Sequence, residues 1–437
     1  MLTKLSAPIG MQWELTPWCP NTCLHCYNYW RTDHSDSLTI RPEDRVIHQA
    51  AANEIVANRV FHVTLTGGEP LAAIRQYAPY LATVRDAGTT FNLNSTLMML
   101  TPSLADLLLE LRIETVLVSV ISANEGLHND IAQNPNAYQR TMAGIALAQS
   151  KGLRVAINMV VTKRNLHTVR VTGQLAQSLG AVMFSATKAA APTNCPDFTP
   201  YRLEAHEFHQ MLGDLLWVRD TYGIEIDSLE HYAACSFPSD ETRSVFGSRS
   251  CLAGKTVATI GFDGKIRPCS HAHLVYGDVL NGGLRPAWEA MDAWREEAMV
   301  PTYCKTACKA YASQTCGGGC RTDAYATNGS MTAPDPYCQQ CSPTTAILRK
   351  DPPAVPDGAS FRLAQIVQHR PESFGHILYR SASKWTAVDA NLFQLLVESR
   401  EGAPFQVPDI ARLYNVSENL AVKTIQHLLS RKLLDIC

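Results

Sequence analysis

Between residues 11 and about 190, short apolar, β-branched runs alternate with longer segments of helical periodicity. The six runs read MQWEL, HVTLTG, FNLNST, TVLVSV, RVAINMVV and AVMFSATK. Strands that alternate with helices form parallel sheets, because a parallel connection is long enough to hold a helix. The pattern therefore predicts an α/β fold, with six strands in an open sheet or partial barrel. Ligands of such sheets bind at the C-terminal ends of the strands.

The chain has 437 residues, and its fourteen cysteines are clustered: three lie at 19–26 and eight at 251–341. The N-terminus lacks the apolar core of a signal peptide, and no apolar run approaches the roughly 20 residues of a membrane span. We therefore expect a cytoplasmic protein with no membrane partner. Clustered thiols in that reducing compartment bind metal or do chemistry more often than they form disulfides. A net charge of -2 argues against a nucleic-acid partner.

Cys19, Cys23 and Cys26 form a C-x3-C-x2-C group directly after the first predicted strand. A zinc site would need a fourth ligand, and the nearest nitrogen is that of His25 within the loop. A disulfide plus a free thiol is disfavoured in the cytoplasm. A [4Fe–4S] cluster normally takes four thiolates, so three would leave one iron open to a substrate or cofactor.

The thiol group, followed by GGEP at 67–70 after the second predicted strand, resembles the paired motifs of radical S-adenosylmethionine (radical SAM) enzymes. The resemblance covers roughly residues 11–190 and implies a partial (β/α)6 barrel. It implies that Cys19, Cys23 and Cys26 hold a [4Fe–4S] cluster whose open iron binds SAM. The reduced cluster would cleave SAM to a 5′-deoxyadenosyl radical that abstracts a substrate hydrogen, with flavodoxin or ferredoxin as the electron donor.

The same resemblance suggests which residues bind SAM. Gly67 and Gly68 would let the backbone approach the amino group, Glu69 would face its ammonium, and Pro70 would start the next helix. At the ends of the third and fourth strands, the residues expected near the ribose and carboxylate of SAM are Asn94, Ser95 and Ser119. A carboxylate-binding arginine would be Arg140. The sequence departs from the relatives at VSVISANEG, where many have a turn similar to SLDG.

Residues 246–345 are rich in glycine and cysteine and poor in long periodic runs, as expected where metal ligation replaces a hydrophobic core. Zinc ribbons also use paired cysteines, but the repeated C-x2-C…C-x2-C spacing is absent. The region resembles the SPASM domain, which implies two auxiliary [4Fe–4S] clusters. The first would use Cys251, Cys269 and Cys320, with Cys235 or Cys341 completing it or with the site left open. The second would use Cys304, Cys308, Cys316 and Cys338.

This second field also departs from its relatives, because C-x3-C-x7-C-x3-C stands where C-x2-C-x5-C-x3-C is common. Zinc in place of one cluster remains an alternative. Cys195 and Cys437 stand apart and are expected to be bystanders.

Beyond a Pro- and Gly-containing linker at 346–360, the pattern predicts three strands and three helices in residues 361–437, a winged-helix-like α+β module. Its order resembles the peptide chaperone of pyrroloquinoline-quinone biosynthesis, a RiPP recognition element that binds leader peptides. The resemblance implies that a precursor's leader adds as a strand beside KWTAVD, against the helix carrying Lys423 and His427. A structural or DNA-binding winged helix is the alternative, although basic residues cluster little at the start of that helix.

We thus expect a radical SAM partial barrel at 11–190, a bridging helical region at 191–245, a SPASM domain at 246–345 and a peptide-binding module. The expected function is maturation of a ribosomally synthesised precursor peptide, with a C–C or thioether cross-link as product. Decarboxylation, epimerisation and oxidation of a sulfatase residue are alternatives within the enzyme class. A redox-sensing DNA-binding regulator is the non-enzymatic alternative, and the GGEP motif weighs against it.

Overall fold

The computed structural model describes residues 4–30, 38–195, 197–339 and 352–437. Cys341 and the first part of the predicted linker lie outside these residues. The chain divides into two units. One unit contains the N-terminal residues up to Gly10 together with the described residues from 352 onward, and the other begins at Met11 and contains the rest.

All six predicted strands of the larger unit form, and a short seventh strand extends the series. They are β1 Gly10–Glu14, β2 His62–Thr66, β3 Thr90–Ser95, β4 Ile113–Ser119, β5 Val155–Val161, β6 Phe184–Lys188 and β7 Ile226–Asp227. They lie side by side in chain order, and β2 to β7 are parallel. The larger unit is thus an α/β fold with a parallel sheet, as the alternating pattern predicted.

Helices cover this sheet because each crossover between parallel strands carries apolar residues on one face. They are α1 Pro42–Ala57, α2 Ile74–Asp86, α3 Pro102–Glu110, α4 Glu125–Ala132, α5 Ala137–Ser150, α6 Val169–Ser178 and α7 Ala205–Tyr222. The side chains of Thr101 and Asn124 accept hydrogen bonds from the first turns of α3 and α4 and so fix where these helices begin. The inward strand residues Val63, Leu93 and Val116 are fully buried beneath the helices.

Three antiparallel strands continue the sheet beyond β1, a feature that the sequence analysis missed. They are β8 Val257–Ile260, β9 Lys265–Arg267 and β10 Gly277–Asp278, and the sheet order runs β10-β9-β8-β1 before continuing to β7. Glu14 of β1 and Arg267 of β9 form a buried ion pair at 2.5 Å. The first part of the cysteine-rich region is therefore built onto the parallel sheet.

The remaining helices of this unit are short, which agrees with the lack of long periodic runs. They are α8 Asp240–Phe246, α9 Leu284–Glu289, α10 Asp292–Arg295, α11 Thr302–Thr306, α12 Lys309–Ala312 and α13 Arg321–Asn328. No helix among the described residues is both long enough and apolar enough to cross a membrane.

The smaller unit contains more strands than the three predicted. Its elements are β11 Ser360–Leu363, β12 Gln368–Glu372, β13 Gly375–Ser381, β14 Lys384–Val388, α14 Ala390–Glu401, β15 Phe405–Gln406, α15 Val407–Tyr414, α16 Glu418–Ser430 and β16 Leu434–Ile436. The run FRLAQIVQH, predicted as one strand, is broken by a turn at Ala364–Val367. Its halves join separate sheets, of order β15-β11-β16 and β12-β13-β14.

The N-terminal residues are part of this smaller unit, which the domain boundaries predicted from sequence did not include. The guanidinium of Arg370 donates hydrogen bonds to the carbonyl oxygens of Ala7 and Pro8, at 2.7 and 2.8 Å. The Ser6 N–H donates to the carboxylate of Glu372, at 2.7 Å. Because Arg370 is buried, these carbonyls satisfy donors that would otherwise be left without partners.

Candidate active site

The three-thiol loop follows β1 and is held by the C-terminal end of α4. The Thr22 and Leu24 N–H groups donate to the carbonyl oxygens of Ala132 and Ile131, at 3.1 and 3.0 Å. The side-chain amide of Asn134 donates to the Pro20 carbonyl oxygen at 3.0 Å. Cys19, Cys23 and Cys26 are each partly exposed, and none is in a disulfide. The loop thus presents three thiols from a fixed backbone at the C-terminal ends of the strands.

The GGEP turn after β2 packs directly against this loop. The Gly68 and Glu69 N–H groups donate to the Thr16 and Trp18 carbonyl oxygens, both at 2.7 Å. A Cβ at Gly67, where φ is +128°, would lie 2.6 Å from the Thr16 oxygen, and one at Gly68 would lie 2.0 Å from the Trp18 oxygen. The glycines are therefore required for close packing of the two motifs.

The Glu69 carboxylate accepts four hydrogen bonds from groups of this chain. One oxygen accepts from the Ser95 hydroxyl at 2.6 Å and from the Leu71 N–H at 3.1 Å. The other accepts from the Thr96 N–H at 2.8 Å and the Thr96 hydroxyl at 2.6 Å. Burial raises the pKa of Glu69, and these hydrogen bonds oppose that effect. Glu69 therefore ties the GGEP turn to the end of β3, and Pro70 begins a short 3-10 turn after it.

Polar side chains alternate along β3 to β6 on one face of the sheet. In the register, Asn94 pairs with Leu117, and Ser119 pairs with Asn158, which pairs with Ser185. Asn94 and Ser119 therefore share a face, whereas the neighbouring Ser95 points to the other face and bonds Glu69. The sequence analysis missed Asn158, although the polar residue within the apolar run RVAINMVV was the signal that could have found it.

Two buried asparagine oxygens have the properties of ligand-binding groups. One lies near the thiol loop, and the other lies on this face of the sheet. The Oδ1 atoms of Asn28 and Asn92 are buried and accept no hydrogen bond from the described residues. The Nδ2 of Asn28 donates to the Gly67 carbonyl oxygen at 3.1 Å and so joins the thiol loop to the GGEP turn. Buried polar groups of this kind normally pair with a ligand or water. Arg140, in contrast, is exposed on α5, and no contact joins it to the other predicted residues.

The family model described as "Radical SAM superfamily" matches residues 13–176, which contain the end of β1, the thiol loop, the GGEP turn and β2 to β5. The chain contains a radical SAM domain. A radical SAM domain implies SAM and one [4Fe–4S] cluster as cofactors, and a site with three thiols and unmet polar groups fits that pair.

Two characterised relatives match most of the chain. The AdoMet-dependent heme synthase of Methanosarcina barkeri is 26% identical over 77% of this chain and 98% of its own length. The mycofactocin maturase MftC of Mycobacterium tuberculosis is 27% identical over 79% of this chain and 86% of its own. Among solved structures, Streptococcus suis SuiB bound to the precursor peptide SuiA has a TM-score of 0.61 and 15% identity, covering 77% of each chain. That likeness shows the radical SAM fold.

In the second cysteine field of this radical SAM enzyme, Cys251 lies close enough to Cys269 and Cys320 to raise the pKa of both thiols. Burial is the larger cause, and it takes the pKa of Cys269 to about 12. The three thiols of the predicted first set are therefore close enough to influence one another electrostatically. Buried thiolates repel one another. They become good ligands when a cationic centre balances their negative charge.

A buried ion-pair network lies beside this first set. The Lys188 ammonium, at the end of β6, is 2.5 Å from the Asp323 carboxylate and 3.5 Å from that of Glu230. Burial alone would lower the pKa of Lys188, but the two carboxylates outweigh it and hold that pKa well above its usual value. The imidazole of His271 lies 3.6 Å from Glu230 and its ring centroid 4.0 Å from that of Tyr27, next to Cys26.

Three cysteines of the predicted second set lie in one apolar cluster. Cys304 and Cys308 are buried in an apolar cluster against which Cys316 packs. Burial raises the pKa of Cys304 to about 11, with further contributions from Cys316, Cys308 and Cys235. Cys235, predicted as a candidate for the first set, lies with this second set, where its Sγ is 3.4 Å from that of Cys338. The Gly318 N–H donates to the Cys316 sulfur at 3.4 Å.

Within the described residues, no three His, Cys, Asp or Glu side chains converge closely enough to hold a single metal ion. A cubane cluster spreads its thiolates around four irons and needs a wider spacing than a tetrahedral zinc ion. Soft thiols are the ligands of both iron–sulfur clusters and zinc.

The smaller unit contains a cavity of about 270 Å³ between β14 and α16. Its lining includes Ala387 and Val388 from the strand, Lys423 and His427 from the helix, and Leu392. β14 ends the order of its sheet, so one side of its backbone faces away from β13. The Lys384 ammonium and Arg431 guanidinium hold the β13–β14 hairpin to the end of α16 through hydrogen bonds to Ser430 and Ser383 carbonyl oxygens.

Proposed function

We propose that this radical SAM enzyme is a maturase that modifies a ribosomally synthesised precursor peptide, most simply by a C–C or thioether cross-link. The observation that carries the peptide assignment is the edge strand β14 beside a partly apolar cavity in a separate unit. The radical SAM family model matches residues 13–176 and does not include β14 or α16 of this unit. The maturase MftC and the peptide-bound structure of SuiB, among the relatives, support the same substrate class.

In this proposal, Cys19, Cys23 and Cys26 hold the cluster, and SAM completes its fourth iron. The bound pair supplies a 5′-deoxyadenosyl radical. The chain's own residues position the reactants: the glycines of the GGEP turn lock the thiol loop, Glu69 fixes the end of β3, and Asn94 and Ser119 face SAM. Because Glu69 is occupied, the SAM amino group is left to backbone carbonyl oxygens of the turn and to Asn28. Arg140 is no longer needed for the SAM carboxylate.

The second cysteine field would hold two auxiliary clusters in a SPASM domain, one on Cys251, Cys269 and Cys320 and one on the second set. Cys341 and an open iron both remain candidates for the fourth position of the first cluster. Such clusters provide electron acceptors or donors near the substrate, and flavodoxin or ferredoxin would be the external electron donor. The reducing cytoplasm, where thiols persist, is the proposed compartment.

Anaerobically reconstituted protein is expected to contain about twelve irons per chain, from three [4Fe–4S] clusters. Iron and acid-labile sulfide assays, combined with Mössbauer spectra, measure this number. About four irons together with one equivalent of zinc would contradict the auxiliary-cluster proposal and leave the radical SAM cluster intact.

Residues 361–437, together with the N-terminal residues that pack within the same unit, would bind the leader peptide. The leader would add as a strand along β14, with its side chains entering the cavity against α16. Backbone hydrogen bonds would supply affinity, and the cavity would supply selectivity. The cations Lys423 and Lys384 beside this edge favour a leader that carries acidic side chains.

A chain that ends after residue 351 is expected to keep its clusters and SAM cleavage but to lose leader binding, because β14 and α16 are gone. Since the contact surface is small, we expect the intact protein to bind the leader with a Kd near micromolar, about 8 kcal/mol. Peptide modification should fail at low peptide concentration and recover in part with excess peptide. Fluorescence anisotropy with a labelled leader and mass spectrometry of the product measure the two effects.

Proline variants at Ala387 and at Thr386 test the edge directly. Because neighbouring N–H groups of a strand point to opposite sides, one variant removes a donor from the open edge and the other removes one from the β13 ladder. The edge variant should remain folded and bind the leader at least tenfold more weakly. Unchanged affinity in both folded proline variants and in the truncated chain would show that this unit does something other than bind a leader.

A second candidate is chemistry on a tetrapyrrole, because the heme synthase relative is matched over 98% of its length. The experiment that separates the two candidates is incubation of the reduced enzyme and SAM with the peptide encoded beside its gene or with a tetrapyrrole carboxylate. A mass change in the peptide supports the maturase proposal. A mass change in the tetrapyrrole alone would refute it.

A further inference from the structure

The second auxiliary site contains one thiol more than a [4Fe–4S] cluster can use. Four of its cysteines come from the segment predicted to bind it: Cys304, Cys308, Cys316 and Cys338. The fifth, Cys235, comes from a separate 3-10 turn, Ala234–Ser236, nearly seventy residues before the others. From its position in the chain, Cys235 was considered only as a candidate ligand of the first auxiliary cluster.

The contact between Cys235 and Cys338 shows how the five thiols are related. Their sulfur atoms are 3.4 Å apart. A cubane cluster binds one thiolate at each of its four irons, and these thiolates point outward from the corners and diverge. Two sulfurs that lie side by side are therefore better placed to bind the same iron than two different irons of one cubane.

Further contacts place the turn that carries Cys235 at the cluster position. The Ala234 N–H donates to the Cys316 sulfur at 3.3 Å, the type of bond that surrounds cluster thiolates in iron–sulfur proteins. Cys235 is 9% exposed, and Ala234 belongs to the same apolar cluster as Cys304 and Cys308.

We propose that Cys235 and Cys338 share the fourth thiolate position of the second auxiliary cluster, so that either sulfur can bind the same iron. The proposal rests on the auxiliary cluster of the proposed function and adds a ligand to it. Its consequence is a cluster that tolerates the loss of one of these two cysteines. The cysteine that is not bound stays beside the iron as a replacement ligand.

The test compares iron content in four variants, purified and reconstituted anaerobically: Cys235→Ser, Cys338→Ser, the double variant, and Cys304→Ser as the matched control. Each single variant at the shared position should keep about twelve irons, because the other thiolate takes the place of the lost one. The double variant and Cys304→Ser should each lose about four irons, with loss of one reduced-cluster signal from the EPR spectrum. Formation of 5′-deoxyadenosine from SAM reports that each variant is folded.

Loss of about four irons from either Cys235→Ser or Cys338→Ser alone would overturn the proposal, since that residue would then be the sole ligand. Full iron content in the double variant would overturn it as well. If Cys304→Ser also keeps all its iron, Cys304 is not a required ligand, and the fault lies in the ligand set of the proposed function rather than in the sharing of a position.

Discussion

Replacing Cys19, Cys23 and Cys26 together with alanine should abolish 5′-deoxyadenosine formation and remove about four irons per chain. The loss should be complete, because the three thiols of this loop would provide all of the protein's ligands to the radical SAM cluster. The proposed auxiliary clusters should remain, because none of the cysteines that would hold them lies in this loop. Those cysteines are Cys235 and the ones from Cys251 onward. Chromatographic assay of 5′-deoxyadenosine and iron analysis on the same sample measure both effects.

The matched control is the double variant Cys195→Ala and Cys437→Ala, which removes cysteines outside all three thiol groups. It should keep full iron content and full SAM cleavage. The backbone hydrogen bonds that hold the thiol loop to α4 and to the GGEP turn do not involve the cysteine side chains, so the triple variant should fold. SAM cleavage at the normal rate by the triple variant would show that the cluster lies elsewhere.

Lys188→Met should lower the free energy of unfolding of the larger unit by about 3–5 kcal/mol, because it leaves buried carboxylates without a cation. Lys188 and Asp323 are 1% and 2% exposed, and their ion pair joins the end of β6 to α13, which follows Cys320. Chemical unfolding of the cluster-free protein, followed by circular dichroism, measures the change. The double variant Lys188→Met with Asp323→Asn should recover part of the loss, since it removes one of the stranded charges.

The control for this variant is Lys163→Met, whose partner Glu204 is largely exposed. It should leave the unfolding midpoint almost unchanged, because solvent screens exposed pairs. The raised pKa of Lys188 means that its ion pair stabilises the native state below the ordinary lysine pKa and is lost only as pH rises through the higher native pKa. Equal effects of the two methionine variants at neutral pH would contradict the assigned role of the buried network.

The sequence predicted the parallel sheet well because β1 to β6 each carry a strong local signal. Their apolar, β-branched residues are buried under amphipathic helices, and the local preference and the tertiary environment agree. The strands that were missed, β7 to β10, contain only two to four residues each. Segments this short carry no periodicity, and their pairing is decided by the sheet edge they join.

In the smaller unit, the run FRLAQIVQH shows where local pattern fails. It is apolar and polar in the right proportions for one strand, yet Phe361 pairs with Ile436 and Phe405, whereas His369 pairs with Leu378. The two halves of the run pair with different sheets, and the turn at Ala364–Val367 separates them. The contacts of Arg370 with the N-terminal residues could not be predicted either, because they join positions more than 360 residues apart.

For the candidate site, the sequence by itself determined the chemistry: three closely spaced thiols, a glycine-rich turn after the next strand, and a second field of cysteines. These features are local, and residue type and spacing are enough to predict them. Only the tertiary structure decided which groups are already satisfied and which thiols meet. It showed Glu69 bonded to the end of β3, Lys188 paired with Asp323, and Cys235 in contact with Cys338. Such contacts depend on how distant segments pack, and a single sequence carries no signal for that.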